Sequence, residues 1–223
     1  MNDSDKYYVT FDLQFNKVMV ISDLHLGDPR LAVSSIISMI KAVEKEKPEL
    51  LIFAGDTYED IFSGPGYIYV LRKLFSDVEK VVFLSGNHDG KVHKIQIEDE
   101  DLLLGKVCVG TCGGKSFVVE HGHRFDSFWK KLPGVGRFIV FLNILLFLVF
   151  KFDFQKWVWS KTDAHGRMKK QHTRVKKYWK GFDIVISGHT HVPILEEGYA
   201  NGGDWVHNSS YVIIDNGVCS LGE

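Results

Sequence analysis

Val81-Val82-Phe83-Leu84-Ser85-Gly86-Asn87-His88-Asp89 carries the decisive change of texture in this chain. An apolar, β-branched run reads as a buried strand, and it breaks at once into a glycine turn bearing Asn, His and Asp. The same texture precedes it twice. Val18–Ile21 leads into Asp23-Leu24-His25 and a turn closed by Gly27, and Leu50–Ala54 leads into Gly55-Asp56. Between those two strands, Leu31–Lys45 places Ile36, Ile37, Ile40 and Val43 on one helical face, with Pro48 just beyond its end. Tyr67–Phe75 predicts a second helix before Val81. This strand–helix–strand rhythm predicts an α/β core with parallel pairing.

Further along, Lys106–Val109 and Lys115–Glu120 predict strands around a Thr111–Gly114 turn, the second running into His121-Gly122-His123. Phe182–Ser187 runs in the same way into Gly188-His189-Thr190-His191. Pro193–Glu197 and Tyr211–Asp215 are expected to form a closing strand pair, joined by a loop that holds Asn201-Gly202-Gly203-Asp204-Trp205. Tyr7–Leu13 is expected at a sheet edge.

The 223 residues fit one domain with an insertion. A formal net charge of −1 and a pI near 6.8 give no whole-chain pull toward nucleic acid or acidic membranes. Cys108, Cys112 and Cys219 form no Cys-x-x-Cys pair, which argues against a disulfide scaffold or a zinc ribbon. The first residues carry Asp3, Asp5, Lys6 and Asp12 and no apolar leader core, so a cytoplasmic location is expected.

Residues 124–180 interrupt the strand series with a largely helical pattern, read as an insertion within the single domain. Phe138–Phe150 is apolar except for Asn143. At about 1.5 Å per residue it falls short of a ~30 Å hydrocarbon core. Lys151–Lys180 then holds ten Lys or Arg against two acids, Asp153 and Asp163, a surplus of +8 that the rest of the chain offsets with −9. The insertion is expected to be a lid. Phe138, Ile139, Phe141, Leu142, Leu145, Leu146, Phe147 and Phe150 would line a groove for an acyl or isoprenoid chain, make a peripheral membrane contact through 138–150, or form a homodimer face. Lys169, Lys170, Arg174, Lys176 and Lys177 would meet phosphate or anionic headgroups. His165 and His172, seven apart on one helical face, are expected at the surface.

The Asp, Asn and His turns point to metal-assisted phosphoryl chemistry. Hydrolysing a phosphate ester needs an activated water and stabilised oxyanions, and two ions about 3.5–4 Å apart supply both. Asp23 and His25 can face one ion. Asp56 is the natural bridging carboxylate. Asn87 can ligate through its amide oxygen. His88 can sit beside the phosphate as donor or general acid, with Asp89 orienting it. His189 and His191 offer two imidazoles in one tight turn. His121 follows its strand directly and is the better ligand of the His121/His123 pair. Mixed oxygen and nitrogen donors favour Mn, Fe, Zn or Co.

These runs, in this order, resemble the calcineurin-like metallophosphoesterase superfamily, whose pattern reads Asp-x-His, Gly-Asp, Gly-Asn-His-Asp or -Glu, His, Gly-His-x-His. The match spans residues 23 to 191. It implies a four-layer α/β sandwich of two mixed sheets flanked by helices, with the site at strand ends. By resemblance, one metal takes Asp23, His25, Asp56 and His191, and the other takes Asp56, Asn87, His121 and His189. His88 is then the phosphate-binding catalytic residue and general acid, with Asp89 its partner. His121-Gly122-His123-Arg124-Phe125-Asp126, the helical insertion and Gly203-Asp204-Trp205 look like the UDP-2,3-diacylglucosamine pyrophosphatase branch and its uncharacterised relatives, whose usual metal is Mn. Better-known members of that branch carry Arg where this chain has His88. The resemblance implies a phosphorylated small-molecule or lipid substrate, flanked by His123, Arg124 and Trp205. The competing readings are a phosphodiesterase or nuclease that uses the basic segment on nucleotides or nucleic acid, and a non-catalytic scaffold.

Overall fold

The structure, a computed structural model, describes residues 7–59, 66–89, 92, 95, 99–126, 135–152 and 164–223. The side chains of Leu13 and of residues 135–141, 164, 165 and 167 are not among them. The roles expected of Phe138, Ile139, Phe141 and His165 therefore lie outside the described residues.

Among the described residues, twelve strands form two six-stranded sheets. One sheet takes β12 (Val218–Gly222), β11 (Tyr211–Asp215), β2 (Lys17–Ile21), β3 (Leu50–Phe53), β4 (Lys80–Leu84) and β5 (Leu102–Gly105), in that spatial order. Strands β2 to β5 run parallel, and β11 and β12 are antiparallel additions. The other sheet takes β1 (Tyr8–Phe15), β6 (Val107–Cys112), β7 (Lys115–Glu120), β8 (Ile184–Ser187), β10 (Tyr199–Gly202) and β9 (Pro193–Glu196). Here β7, β8 and β10 are parallel, while β6 and β9 run against their neighbours β7 and β10.

Alternation along each strand builds the layers. Val18, Val20, Leu50, Ile52, Val82, Leu84, Val212 and Ile214 meet Cys108, Phe117, Val119 and Ile186 in one cluster between the sheets. The intervening residues Met19, Ile21, Leu51, Phe53, Val81 and Phe83 pack under α1 (Val33–Glu46) and α2 (Gly66–Leu74), through Met39, Val43, Ile68 and Leu71. Both faces are covered, which is why these strands read as unbroken apolar runs instead of alternating ones. On the outer face of the second sheet, Val118, Val185 and Tyr199 pack against Val175 and Trp179, from α4 (Ala164–Tyr178) and the residue after it. Helix, sheet, sheet, helix is the expected architecture.

Helix α1 starts two residues later than expected and buries Met39, leaving Ile37 47% exposed. It stops where Lys47 turns left-handed at φ 48° and returns its N–H to Val43, just before Pro48. The expected closing pair is not formed. Pro193–Glu196 pairs with β10 in one sheet, and Tyr211–Asp215 pairs with β2 and β12 in the other. Asn201 and Gly202 sit in β10 and not in a loop. Helix α3 (Val135–Phe150) follows the second sheet's β7 in sequence. Among the described residues no helix is long and apolar enough to cross a membrane.

Candidate metal centre

Parallel strands place their carboxyl ends at one edge, and all the Asp, Asn and His turns gather there. The turns after β2 and β3 are stitched together by Asp23 N–H to Gly55 O, 3.1 Å, and His25 N–H to Asp56 O, 2.9 Å. On the other sheet, Gly188 N–H donates to His121 O, 3.2 Å, and joins the turns after β7 and β8. Across the two sheets, Asp23 Oδ2 accepts the His189 N–H at 2.9 Å, and within the first sheet Asp56 Oδ1 accepts the His88 N–H at 2.8 Å. Each carboxylate thus spends one oxygen on a neighbouring turn and keeps the other for the centre.

The backbone here is bent into a conformation that side-chain-bearing residues rarely adopt. Asp23, His25, Asp56, His189 and His191 have φ of 52°, 51°, 50°, 70° and 58°. Such left-handed residues cost on the order of 1–3 kcal/mol each and persist where the surroundings impose them, typically at functional sites. The glycines of the turns have a packing reason. A Cβ on Gly55 would lie 2.6 Å from His121 Cγ, one on Gly86 would lie 2.0 Å from Asp56 Oδ1, and one on Gly188 would lie 2.5 Å from Asp23 Oδ2. Each glycine leaves the space that a neighbouring turn's donor fills.

Of the four donor groups among the described residues, two are made wholly of the expected ligands. Asp23, His25 and His191 bring ligand atoms within 4.8 Å of one another, and so do Asp56, His121 and His189. His191 Nε2 is 3.4 Å and His25 Nε2 4.0 Å from Asp23 Oδ1. In the second group, His121 Nε2 lies 3.1 Å from Asp56 Oδ2 and 3.1 Å from Asn87 Oδ1. Asp23 Oδ1 and His25 Nε2 are buried without a hydrogen-bond partner. Buried polar atoms are rarely left so, and a cation between them removes the penalty. The residues therefore fit a pair of divalent ions.

The imidazoles are oriented from behind, as ligating histidines are. His25 Nδ1–H donates to Glu59 Oε1 at 2.5 Å, His191 Nδ1–H to Asp204 Oδ2 at 2.7 Å, and His121 Nδ1–H to the Ala54 carbonyl at 3.0 Å. In all three, Nε2 is left facing the centre. His189 is turned the other way, with Nε2 3.2 Å from Asp126 Oδ2. From sequence, Asp126 and Asp204 were named only as members of two runs and given no role, and Glu59 and His207, whose Nδ1 shares Asp204 Oδ2 at 2.7 Å, were not singled out. The signal that marked Asp204 is its place in Gly203-Asp204-Trp205, a carboxylate after paired glycines. Glu59 follows Asp56 by three, with nothing in its neighbours to distinguish it.

His88 sits beside the centre, its Nε2 3.8 Å from Asp56 Oδ2. Its orienting partner is Glu59, which accepts Nδ1–H at 2.9 Å, and not Asp89 as expected. Asp89 is fully buried and accepts backbone N–H groups from Thr57, Tyr58 and Gly86, so it braces the turns. Burial opposes charge on His88, but Asp56 and Glu59 outweigh it and lift the ring to about 10. Burial likewise opposes charge on His121, which Asp56 lifts to about 9. Burial would raise Asp56, yet His121 and His88 hold it well below the usual carboxylate range. Burial and the Asp56 charge together push Asp89 up to about 7. The carboxylates demand positive charge here, and protons on the imidazoles stand where bound ions would supply it.

The three expected substrate contacts fare differently. His123 is exposed at the rim, its ring 5.4 Å from that of His121 and 6.4 Å from that of His189. Arg124 is committed to Glu120 at 2.8 Å and lies over the rings of Phe125, Tyr178 and Trp179, an anchoring arrangement in place of an open cation. Trp205 is a core residue, 1% exposed and stacked on Tyr211, with its backbone N–H on Asp23 O. It braces the Asp23 turn from below and offers no surface to a substrate. His172 is also not at the surface: it is buried against Thr190, Nε2 to Oγ1 at 2.9 Å.

The chain is similar to known proteins in sequence and in fold. An uncharacterized metallophosphoesterase from Aquifex aeolicus (strain VF5) is 30% identical over 186 residues, which is 80% of this chain and 64% of that protein. The chain thus spans a little under two thirds of that relative's length. The hypothetical protein PH1004 from Pyrococcus horikoshii OT3 is similar in fold, with a TM-score of 0.50 and 12% identity over 95% of this chain and 88% of that one. YfcE, a phosphoesterase from E. coli, gives a TM-score of 0.48 at 18% identity over 92% and 91% of the two chains. The family model described as calcineurin-like phosphoesterase matches residues 16–193, a stretch that holds all of the expected metal ligands, and the chain belongs to that family.

Proposed function

We propose that the chain hydrolyses a phosphodiester or phosphoanhydride with two divalent ions, Mn foremost. Asp23, His25, Asp56 and His191 would hold one, and Asp56, Asn87, His121 and His189 the other. The observation that carries this reading is the pair of buried, unpartnered donors, Asp23 Oδ1 and His25 Nε2, beside a second donor group built on Asp56. When bound, the ions supply Lewis acidity and lower the pKa of a water. The chain's residues do the rest. His88, held through Nδ1 by Glu59, turns Nε2 to the centre, where it can bind a phosphoryl oxygen or pass a proton to the leaving oxygen. Asp89 fixes the turns that carry Asp56 and His88. His123 stands at the rim as a substrate contact.

The substrate class we favour is a lipid-linked pyrophosphate of the UDP-2,3-diacylglucosamine kind. Its support is the apolar helix α3, which follows the His121–Asp126 turn in the chain. The exposed lysines of α4 favour a second reading, a nucleotide or nucleic-acid phosphodiester. Mn-dependent hydrolysis of UDP-2,3-diacylglucosamine, bis-p-nitrophenyl phosphate and p-nitrophenyl phosphate, with Asp56→Asn as blank, separates these. Turnover of the lipid substrate well above the small esters supports the pyrophosphatase. Activity confined to the small esters removes the lipid substrate and keeps the hydrolase. No activity on any, in protein with both ions bound, overturns the enzyme reading.

A further inference from the structure

We propose that Asp126 is a positioning residue for His189, and that α4 acts on the second ion by holding Asp126 in place. The inference rests on the dinuclear reading and adds to it a residue outside the ligand set. Of the four imidazoles in the two donor groups, His25, His121 and His191 are held through Nδ1, by Glu59, the Ala54 carbonyl and Asp204. His189 is held through Nε2, 3.2 Å from Asp126 Oδ2. An imidazole that donates its Nε2–H to a carboxylate keeps its lone pair on Nδ1, so Asp126 decides which ring atom His189 presents to the centre. Asp23 Oδ2 fixes the His189 backbone, at 2.9 Å from its N–H, and Asp126 holds the ring. It does so from a different turn. His189 follows β8, whereas Asp126 follows β7 and closes the short 3₁₀ turn His123–Phe125, its N–H on His123 O at 3.1 Å.

Helix α4 grips that turn from outside. Gln171, Arg174 and Tyr178 recur at spacings of three and four, the period of one helical face. Gln171 Nε2 donates to Gly122 O at 3.2 Å, Arg174 Nη1 donates to Phe125 O at 3.2 Å, and the Tyr178 ring meets that of Phe125 edge-on at 5.4 Å. Just past the helix, Trp179 Nε1–H donates to Glu120 Oε1 at 2.5 Å. Arg124 Nε donates to the other oxygen of Glu120 at 2.8 Å and lays its guanidinium over the Tyr178 and Trp179 rings. Residues 120–125 are thus held on both sides of His121, and Asp126 is the next residue. Covering the sheet asks only for Val175 and Trp179 against Val118, Val185 and Tyr199. The polar contacts to 120–125 are additional, and they converge on the turn that carries Asp126.

The test is calorimetric titration of Mn into the full, metal-free chain, with Mn EPR at two equivalents. The parent chain is expected to bind two ions and to give the signal of a coupled pair. Asp126→Ala should weaken one ion by about 10–100-fold, leave the other within about twofold, and show the six-line signal of an isolated Mn. Asp126→Asn keeps an acceptor for Nε2–H and should recover most of the lost affinity. Trp179→Phe keeps the ring, removes the N–H to Glu120, and should weaken the same ion to a smaller degree. Two ions bound with parental affinities in Asp126→Ala would overturn the proposal and leave the dinuclear reading standing. Equal weakening of both ions, or a lower melting temperature with no change in Mn affinity, would show a structural role only and would also overturn it. Parental affinities in Trp179→Phe would overturn the part given to α4. A parent chain that binds one ion or none would overturn the dinuclear reading and this proposal with it.

Discussion

An alanine at Gly86 is a one-carbon change aimed at Asp56, the carboxylate proposed to bridge the two ions. The added Cβ would lie 2.0 Å from Asp56 Oδ1 and 2.3 Å from Asp56 N. Ordinary contact begins near 3.4 Å, so Asp56 or the Gly86 turn must yield by about 1.4 Å. Neither is free to do so. Asp56 Oδ1 holds the His88 N–H, and Gly86 N–H is held by Asp89 Oδ2 at 2.8 Å. Overpacking of this kind costs about 1–3 kcal/mol of stability. The larger effect falls on function. Displacing a ligand's support typically costs about 10–100-fold in metal affinity. A shift of about 1 Å in a catalytic constellation costs on the order of 100-fold in rate. Gly86→Ala is therefore expected to melt lower, to bind Mn more weakly by calorimetric titration, and to remain slow on bis-p-nitrophenyl phosphate at saturating Mn. Gly181→Ala, where a Cβ meets nothing within 4 Å, is the control. Parental Mn affinity and turnover in Gly86→Ala would refute the close packing of the two turns.

Glu59→Gln leaves the size of the side chain intact but weakens its hold on His25 and His88 together; metal affinity and turnover should both fall by about 10–100-fold, and an unchanged Mn titration would show that the pair is oriented by something else. His88→Ala should keep both ions by metal analysis and lose turnover by about 100-fold or more, most on substrates with a poor leaving group; full rate on an unactivated ester would remove the general-acid role. Burial lowers His172 to about 4. The unfolded chain takes up a proton below about pH 6.5 that the fold refuses, so this contribution is full above that pH and is lost as pH falls toward 4, by about 2–3 kcal/mol. In metal-free protein, denaturant titrations near neutral and near pH 4.5 should show a smaller acid loss for His172→Gln than for the parent chain, and equal losses would contradict it.

Much of the fold was legible because the burial was two-sided. Val18–Ile21, Leu50–Ala54 and Val81–Leu84 are apolar on both faces, and only strands sandwiched between helices and a second sheet need that. The turns that gather at the candidate centre were legible for a related reason, since Asp, Asn and His seldom follow such runs without a use. Strand β10 was hidden by its own composition. Asn201-Gly202 reads as turn, yet Asn201 is fully buried and its Nδ2 donates to Gly188 O at 2.8 Å, which holds the His189 turn in place. Pairing partners are set by the whole sheet and not by neighbours in sequence, so Tyr211–Asp215 went to β2 and not to Pro193–Glu196. The carboxylates behind the histidines were equally invisible. Glu59 and Asp204 owe their roles to the turn that brings them within about 3 Å of a ring, and no spacing rule encodes that. Trp205 was misread for the converse reason: a tryptophan beside a polar turn looks like a substrate wall until the structure shows it buried.

The most direct test of the dinuclear centre is anomalous diffraction at the Mn edge from crystals of the chain grown with Mn. The account predicts two peaks. One should lie among Asp23, His25 and His191, the other among Asn87, His121 and His189, and Asp56 should contact both. A single peak, or peaks away from these residues, would contradict it.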